Sequence, residues 1–339
     1  MGCRKINIFI ILVGFTVSVF GQQDPQFTQY MYTILPINPG YAGNAGICAS
    51  LQYRQQWAGF TDIINETGER YKTAPRDALV SIHTPIKQRH GIGLTIFNDA
   101  LGYQSDIAVK LAYAYRMNIS GGTLGIGLSG DFLSRTVRSD LYVIGQSGDP
   151  LLIADMGTDM HISPSFGVFF QMQQKWYAGI SGTRLVSFVG GDKDYQKGKA
   201  HVYFLGGYTY ELPSNPDWKL KPSALLKSDL TNVQMDLTVL ADYTNLIWFG
   251  ISYRMPYDIA VLVGAKPFIN FSGAIKGLEV IGSYDINPGG MGRWKKGYEG
   301  RSLGGYEFCI KYCFNIVQTP TVYGYKNTKL LGNRPIEYR

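Results

Sequence analysis

The stretch Tyr306-Glu307-Phe308-Cys309-Ile310-Lys311-Tyr312-Cys313-Phe314 decides the fold class of this 339-residue sequence. Its aromatic and aliphatic side chains fall on one face of an extended chain, and Glu307, Cys309, Lys311 and Cys313 fall on the other. Successive side chains of a β-strand point to opposite faces, so one face suits lipid and the other suits water. A soluble sandwich also alternates, but it has no need for aromatic residues repeated along an outward face. The stretch therefore predicts one strand of a transmembrane β-barrel.

The composition agrees with a barrel and argues against two other classes of protein. The sequence contains 41 Gly, 24 Tyr and 17 Phe, and only 17% of its residues are charged. Disordered chains combine low hydrophobicity with few aromatic residues, so this composition disfavours disorder. A helical membrane protein is also disfavoured, because the one long apolar run is 6–20.

That apolar run predicts a cleavable signal peptide over residues 1–21. Arg4 and Lys5 precede the run, and Val19-Phe20-Gly21 matches a cleavage site, with Gln22 as the expected start of the mature chain. A membrane anchor is the alternative reading, but about 15 apolar residues fall short of the roughly 20 that span a bilayer. We therefore expect an exported protein.

The net charge bears on the partners that an exported barrel can have. The charge of +7 falls by two when Arg4 and Lys5 are removed, so the mature chain stays basic. No nucleic acid partner is expected for an exported barrel, whereas lipopolysaccharide or an acidic polypeptide is a reasonable one. An ordinary solvated loop surface explains the same charge.

Alternation and turn residues predict a single antiparallel barrel of about fourteen strands over 47–316. In the fourth strand, Ile107 and Tyr113 alternate with Lys110 and Arg116, so the face turned to lipid carries no charge. An even strand count is usual for closed bacterial barrels. The predicted strands are 47–57, 76–85, 90–98, 103–117, 122–135, 161–171, 174–184, 199–211, 218–228, 231–243, 245–255, 257–265, 276–285 and 303–316.

The lengths of the connections support this assignment. The long ones, 58–75, 136–160, 185–198 and 286–302, all join an odd-numbered strand to the next, and 266–275 is the longest exception on the other side. Bacterial barrels have short periplasmic turns and longer external loops. The first strand is therefore expected to start in the periplasm, with the long loops outside.

Residues 22–46 precede the predicted barrel as a periplasmic or luminal segment, and residues 317–339 follow it as a tail. The prolines, glycines and aromatic residues of the first segment favour a fixed irregular conformation over a strand. Such a segment could plug the lumen, fill space inside the barrel, or present aromatic anchors to a partner. The candidate partner-binding residues are Phe27, Tyr30, Tyr32 and Tyr41.

Several motifs resemble one known family. The opening Asp24-Pro25-Gln26-Phe27-Thr28-Gln29-Tyr30-Met31, followed by Ile37-Asn38-Pro39-Gly40-Tyr41-Ala42-Gly43, is similar to the start of the PorP/SprF family of the Bacteroidota type IX secretion system. The resemblance covers nearly all of 23–316 and includes Tyr53-Arg54-Gln55-Gln56-Trp57 and Trp248-Phe249-Gly250-Ile251-Ser252-Tyr253-Arg254.

This resemblance implies a non-enzymatic, integral outer-membrane protein without a cofactor. It implies support for the secretion or surface attachment of specific substrates, including adhesins of gliding bacteria, and so a link to gliding motility. The implied partners are type IX secretion components and secreted substrate proteins, beside the lipid and lipopolysaccharide of the outer membrane. The alternative is a porin-like or fatty-acid-transporter-like channel for small molecules, with the N-terminal segment as its hatch.

Two of the four cysteines are expected to lie close together. Cys48 stands at the periplasmic start of the first strand and Cys313 near the periplasmic end of the last, and barrel closure makes these strands neighbours. A disulfide across the seam is one option in an oxidising compartment, and two unpaired buried thiols are the other. Cys309 and Cys313 lie about 13 Å apart along one strand, too far to bond each other.

No catalytic or metal-binding pattern is predicted. The pair Ser81 and His83 shares a strand face, but such a pair is more often structural, and no Gly-x-Ser-x-Gly elbow occurs. Gly125, Gly127 and Gly130 imitate a nucleotide fingerprint, yet they lie within a strand and open no helix, so we expect barrel wall. No ligand spacing that would indicate zinc links the four histidines, His83, His90, His161 and His201.

Charged residues supply the last candidates. The inward-facing set carries both signs, which favours pairing in a closed lumen over the lining of a water channel. Its members are Arg54, Lys110, Arg116, Asp131, Asp236, Glu307 and Lys311. The densest basic loop is expected outside, where it could contact lipopolysaccharide or an exported substrate, or simply be solvated. It contains Arg293, Trp294, Lys295 and Lys296.

Overall fold

The computed structural model contains fourteen long β-strands that close into one antiparallel barrel, which confirms the predicted fold class. No helix among the residues described is long and apolar enough to cross a membrane. The structure describes residues 26–44, 46–58, 62–63, 70–71, 74–87, 89–102, 104–137, 158–173, 175–189, 199–255, 258–267, 277–286 and 304–314. Outside them lie the predicted signal peptide, the tail at 317–339, and the basic residues Arg293, Trp294, Lys295 and Lys296.

Each barrel strand begins and ends within a few residues of its predicted position, because two-residue alternation stops where turn residues begin. The strands are β1 (Ile47–Gln55), β2 (Arg76–Ile86), β3 (His90–Leu101), β4 (Gln104–Ile119), β5 (Gly122–Val137), β6 (Thr158–Met172), β7 (Trp176–Thr183), β8 (His201–Tyr208), β9 (Trp218–Ser228), β10 (Val233–Tyr243), β11 (Ile247–Arg254), β12 (Asp258–Ala265), β13 (Leu278–Ile286) and β14 (Gly305–Phe314).

Four strands of two residues each accompany the barrel. Phe188–Val189 extends the wall by pairing with β6, and Tyr210–Glu211 pairs with β9. Asp62–Ile63 and Arg70–Tyr71 pair with each other in the connection between β1 and β2. The first two therefore extend the barrel sheet locally, the last two form a separate sheet in a loop, and the order of the fourteen long strands is unchanged.

The barrel closes where β1 pairs with β14. Each of the other strands pairs antiparallel with its neighbours in sequence. At the seam, Arg54 lies opposite Glu307, and Cys48 lies opposite Cys313. Closure gives every long strand two partners, which removes the free edges that would otherwise invite aggregation.

The two faces of the wall differ as the alternation predicts. In β4, Leu111 and Tyr113 point outward and are 54% and 45% exposed, whereas Ala112 and Ala114 point inward and are buried. The same contrast holds in β14, where Phe308 is outward and Glu307 is inward. A continuous apolar belt of this kind belongs against hydrocarbon, so the outer face is the lipid-facing one.

The connections are long at one end of the barrel and short at the other, as predicted. Odd-numbered strands lead into 56–75, 138–157, 184–200 and 287–304, and 266–277 is the longest connection at the opposite end. Long loops of such barrels face outward and short turns face the periplasm. We therefore call the long-loop end the outer end and the short-turn end the inner end.

Residues 26–44, which we call the luminal segment, lie inside the barrel. They form two 3-10 helices, Tyr30–Tyr32 and Pro39–Tyr41, joined by irregular chain. Gln26 contacts residues in the outer half of the barrel, whereas Asn44 bonds Gln171 close to the inner end of β6. The segment therefore runs from the outer half of the lumen to the inner end, where β1 begins.

Candidate functional site in the barrel lumen

Glu307 is the central anchor of the luminal segment. Its carboxylate accepts hydrogen bonds from the backbone N–H groups of Thr28 at 2.8 Å and Gln29 at 2.9 Å. The side-chain amide of Gln52 donates a third hydrogen bond to the carboxylate at 2.6 Å. Because Glu307 is only 2% exposed, these charge-assisted bonds act where water does not compete.

Arg54 joins the same anchor to a second carboxylate. Its guanidinium donates to Asp285 at 2.8 Å and lies 3.8 Å from Glu307. It also donates to the backbone carbonyl of Gln26, while the hydroxyl of Thr28 donates to Asp285 at 3.0 Å. One buried arginine thus holds the segment and the wall strands β1, β13 and β14 together.

A second ion pair lies beside the first. Arg254 donates to Asp236 at 3.2 Å, and both are buried. The side-chain amide of Gln26 donates to both oxygens of Asp236, at 3.1 and 3.0 Å, and Arg254 donates to the hydroxyl of Thr28 at 3.3 Å. Two arginines and three carboxylates therefore surround Gln26–Gln29, which we call the outer anchor.

Part of this network was predicted from the sequence. Arg54, Asp236 and Glu307 were predicted to face inward and to pair, and the structure confirms both expectations. Arg254 and Asp285 were missed. The signal for Arg254 was present, because the outward residues of β11 end at Tyr253 and leave the next position facing the lumen.

The inner half of the luminal segment is held by close backbone packing. Gly40 lies against the wall so closely that an added Cβ would stand 2.8 Å from the carbonyl oxygen of Gly125 and 2.9 Å from that of Gly167. A Cβ on Gly127 would stand 2.5 Å from the backbone nitrogen of Gly40. The glycine pattern of β5 thus belongs to the barrel wall, as expected, and makes room for the segment. We call Asn38–Asn44 with its wall contacts the inner anchor.

Asn38 fixes the turn that enters this inner anchor. Its amide nitrogen donates to the backbone carbonyl of Val168 at 3.0 Å, and its amide oxygen accepts from the N–H of Gly40 at 2.9 Å. Arg116 donates to the backbone carbonyl of Gly43 further along the segment. The inner anchor therefore combines steric fit with hydrogen bonds to backbone groups.

The four candidate partner-binding aromatic residues pack inside the barrel. Phe27 and Tyr41 each make an edge-to-face ring contact with a residue of the barrel wall. The ring of Tyr32 stacks on a third wall residue, with ring centroids 6.0 Å apart. The hydroxyl of Tyr30 donates to Ser223 at 3.0 Å. Phe27, Tyr30 and Tyr41 are buried, so a partner could reach these three rings only if the segment moved, whereas Tyr32 is partly buried. The wall residues that contact Phe27, Tyr32 and Tyr41 are Phe97, Trp248 and Phe169.

The structure joins Cys48 and Cys313 in a disulfide across the seam, near the inner end. The Cα atoms of the two residues lie 4.1 Å apart. This is the bonded one of the two alternatives that the sequence left open. Cys309, four residues before Cys313 on the same face of β14, is a buried free cysteine.

The described residues offer no arrangement for metal chemistry. No group of three or more His, Cys, Asp or Glu among them is placed to hold an ion. His83 instead packs edge-on against the ring of Tyr41, with centroids 5.2 Å apart.

A family model described as type IX secretion system membrane protein PorP/SprF matches residues 19–281. The chain belongs to the PorP/SprF family. This PorP/SprF protein is a membrane component of the type IX secretion system, and it lies in the outer membrane. The matched range includes the whole luminal segment and most of the barrel.

Three of the solved structures that are similar to this PorP/SprF protein match it at low identity. The CymD monoaromatic hydrocarbon channel is 12% identical, with a TM-score of 0.46 over 84% of this chain and 93% of that one. Acinetobacter baumannii Omp33 is 8% identical, with a TM-score of 0.41 over 80% and 99%. The Ralstonia pickettii toluene transporter TbuX is 11% identical, with a TM-score of 0.45 over 83% and 92%. Among curated proteins, none matches the sequence.

Proposed function

We propose that this PorP/SprF protein supports the secretion or surface attachment of specific substrate proteins, adhesins among them, without catalysing a reaction. Family membership supports a role in type IX secretion. The observation that carries the proposal is the filled lumen, in which the luminal segment is fastened at both ends. A barrel filled in this way is suited to hold a partner at the membrane, since its interior is committed to its own chain.

The filled lumen also argues against the channel alternative. A porin-like or fatty-acid-transporter-like protein needs a continuous path, and here the outer anchor alone would require the separation of buried charges from their partners. Breaking a buried ion pair by removing one partner typically costs about 3–5 kcal/mol. A hatch would therefore need an energetic drive that a passive channel does not have.

The proposal assigns partner contact to the outer end and to the predicted basic loop. Secreted substrates and lipopolysaccharide can reach the long loops from outside or within the membrane plane. The loop with Arg293, Trp294, Lys295 and Lys296 supplies positive charge and one aromatic ring for an acidic partner. The luminal rings contribute by holding the barrel in one shape.

A deletion strain tests the secretion role. Surface proteomics should show the loss of a small set of secreted proteins with no general loss of outer-membrane proteins, and the wild-type gene should restore them. A strain that keeps every surface protein would overturn the proposal.

A conductance measurement tests the channel alternative separately. The purified protein in planar bilayers should show no steady current, and deletion of residues 26–44 should create one. Steady current from the intact protein, in the absence of any secretion partner, would favour the channel.

A further inference from the structure

The turn between β2 and β3 carries two basic residues and a histidine at the inner end of the barrel. Lys87 and Arg89 are exposed, and the partly buried His90 begins β3. Ile86 pairs with His90 across the turn, and Lys87 has a positive φ of 54°. The backbone N–H of Arg116 donates to the carbonyl of Arg89 at 2.7 Å. The turn therefore has a defined path that places its cations at the rim of the wall.

Two tyrosines of β4 hold this turn on the lipid-facing side of the wall. The guanidinium of Arg89 donates to the hydroxyl of Tyr115 at 3.3 Å, and the hydroxyl of Tyr113 shares a hydrogen bond of 2.7 Å with Nδ1 of His90. Tyrosine rings of membrane proteins concentrate at the level of the lipid headgroups. Lys87, Arg89, His90, Tyr113 and Tyr115, which we call the inner-rim cluster, therefore lie where the wall meets the headgroups of the inner leaflet.

Basic residues on the far side of the inner end are paired with carboxylates. Lys219 lies 2.9 Å from Glu211, and Lys266 lies 2.9 Å from Glu279. The acidic residues that the structure describes in the inner half of the barrel all lie on or beside β8 to β13. They are Glu211, Asp217, Asp242 and Glu279. The side of the inner end that carries the β2–β3 turn therefore has no described carboxylate of its own.

The inner-rim cluster accordingly presents positive charge that the described protein groups do not neutralise. Neither Lys87 nor Arg89 forms an ion pair within the part of the chain that the structure describes. Beside the cluster, Ile86 and Ile92 face the hydrocarbon and are 42% and 41% exposed. Positive groups at the rim of an apolar surface match an anionic lipid, whose phosphate lies at the interface and whose chains lie in the core.

We propose that the inner-rim cluster binds the headgroup of an anionic phospholipid in the inner leaflet of the outer membrane. The phosphate diester accepts charge-assisted hydrogen bonds from Lys87 and Arg89, and the acyl chains lie along Ile86 and Ile92. Tyr115 keeps the guanidinium of Arg89 at the rim. A headgroup with an ammonium group is disfavoured, because none of the residues in the cluster is acidic and could pair with it.

A lipid competition with the full-length protein tests this site. The detergent-purified protein is equilibrated with micelles that hold equal amounts of dioleoyl phosphatidylglycerol, dioleoyl phosphatidylcholine and dioleoylglycerol, and the retained lipids are quantified by mass spectrometry. Phosphatidylglycerol should be enriched at least about tenfold over the other two, because two basic side chains contribute to its binding. Phosphatidylglycerol that is retained no better than either competitor would overturn the proposal.

Two double variants locate the binding site. Lys87→Gln with Arg89→Gln should remove the enrichment of phosphatidylglycerol. Lys219→Gln with Lys266→Gln removes two cations from the far side of the same end, where both are paired with carboxylates, so it should leave the enrichment unchanged. All four side chains are at least partly exposed, and heat-dependent gel mobility checks that both proteins fold. An equal loss in the two double variants would overturn the location.

Tyr115→Phe distinguishes a site of defined geometry from general attraction to positive charge. This variant keeps Lys87, Arg89 and the aromatic ring, and it removes only the hydroxyl that accepts from Arg89. The enrichment of phosphatidylglycerol should fall about threefold, as expected for the loss of one hydrogen bond that positions the guanidinium. An undiminished enrichment would overturn the geometry proposed for the cluster.

Inorganic phosphate separates binding of the lipid from binding of the free anion. Excess inorganic phosphate at constant ionic strength should leave the enrichment of phosphatidylglycerol in place, because the acyl chains contribute contacts that free phosphate lacks. Displacement of the lipid by inorganic phosphate would show that the cluster is a site for the free anion, and it would overturn the assignment to a phospholipid.

Discussion

The two anchors of the luminal segment hold it by different physical means. The outer anchor uses buried charge, with Glu307 and Arg54 bonded to backbone groups of Gln26–Gln29. The inner anchor uses close fit, with Gly40 packed against β5 and β6. The outer anchor depends on which charged and polar groups are present, and the inner anchor depends on glycines that have no side chain.

This difference predicts different responses to mutation. Removal of one member of a buried charge cluster leaves its partners without compensation, which is costly even when the shape changes little. A single added methyl group at a close contact forces the backbone to shift, which is costly even when the chemistry is unchanged. Four substitutions test this contrast, from the largest expected effect to the smallest.

Glu307→Ala should have the largest effect. It leaves the N–H groups of Thr28 and Gln29 and part of the charge of Arg54 without an acceptor, so the free energy of unfolding should fall by about 3–5 kcal/mol. Urea unfolding followed by gel mobility measures the loss. Glu211→Ala is the control, because Glu211 is exposed and pairs with Lys219 at the surface. Equal stability of the two variants would contradict the description of the outer anchor.

Cys48→Ser should have the next largest effect, because the disulfide ties the seam at the inner end. Loss of a disulfide typically costs about 2–4 kcal/mol. Wild-type protein should change its gel mobility on reduction, and the variant should not. Cys309→Ser should retain the change. If the gel mobility of the wild-type protein did not change on reduction, the two cysteines at the seam would not be bonded.

Gly127→Ala should destabilise the protein by about 1–3 kcal/mol, because the added methyl group meets the backbone of Pro39 and Gly40. Thermal unfolding measures the effect, and protease digestion reports whether the segment has loosened. Gly130→Ala is the control on the same strand, since the nearest atom to its added Cβ, on Phe132, is 3.8 Å away. A larger loss in the control would contradict the inner anchor.

Thr33→Val should have the smallest effect. Its hydroxyl donates to the side-chain oxygen of Gln52 at 2.7 Å, between the two anchors, and the loss of one such bond costs about 1 kcal/mol. Thr136→Val, near the outer end of β5, is the control. A loss as large as that of Glu307→Ala would show that stability does not concentrate at the anchors.

The barrel wall could be predicted because each strand carries its own signal. Alternation along β4, with Tyr113 outward and Lys110 inward, depends on neighbours in the chain and needs no knowledge of the rest of the molecule. The same rule placed Cys48 and Cys313 together, since closure of the barrel fixes which strands meet. Alternation along each strand, the position of the long loops after odd-numbered strands, and closure of the barrel therefore predicted most of the fold.

The contacts of the luminal segment could not be predicted in the same way. Alternation indicates that Glu307 faces inward, but nothing in the local pattern indicates that it meets Thr28, because the segment has no period of its own. Gly127 and Gly130 belong to one motif and fall on opposite faces of β5, but only the path of the segment explains why the inward position of Gly127 has no room for a side chain. These contacts depend on how a strand-free stretch crosses the lumen.

The direction of the luminal segment has a consequence for biogenesis. Its inner end continues into β1, and its outer anchor is completed by Glu307 on β14, the last strand to be synthesised. A stretch with buried rings on the wall has no free path into a finished cylinder, so we expect the wall to assemble around it. The luminal segment, which is synthesised before every barrel strand, then serves as the internal template against which the final strand pairs.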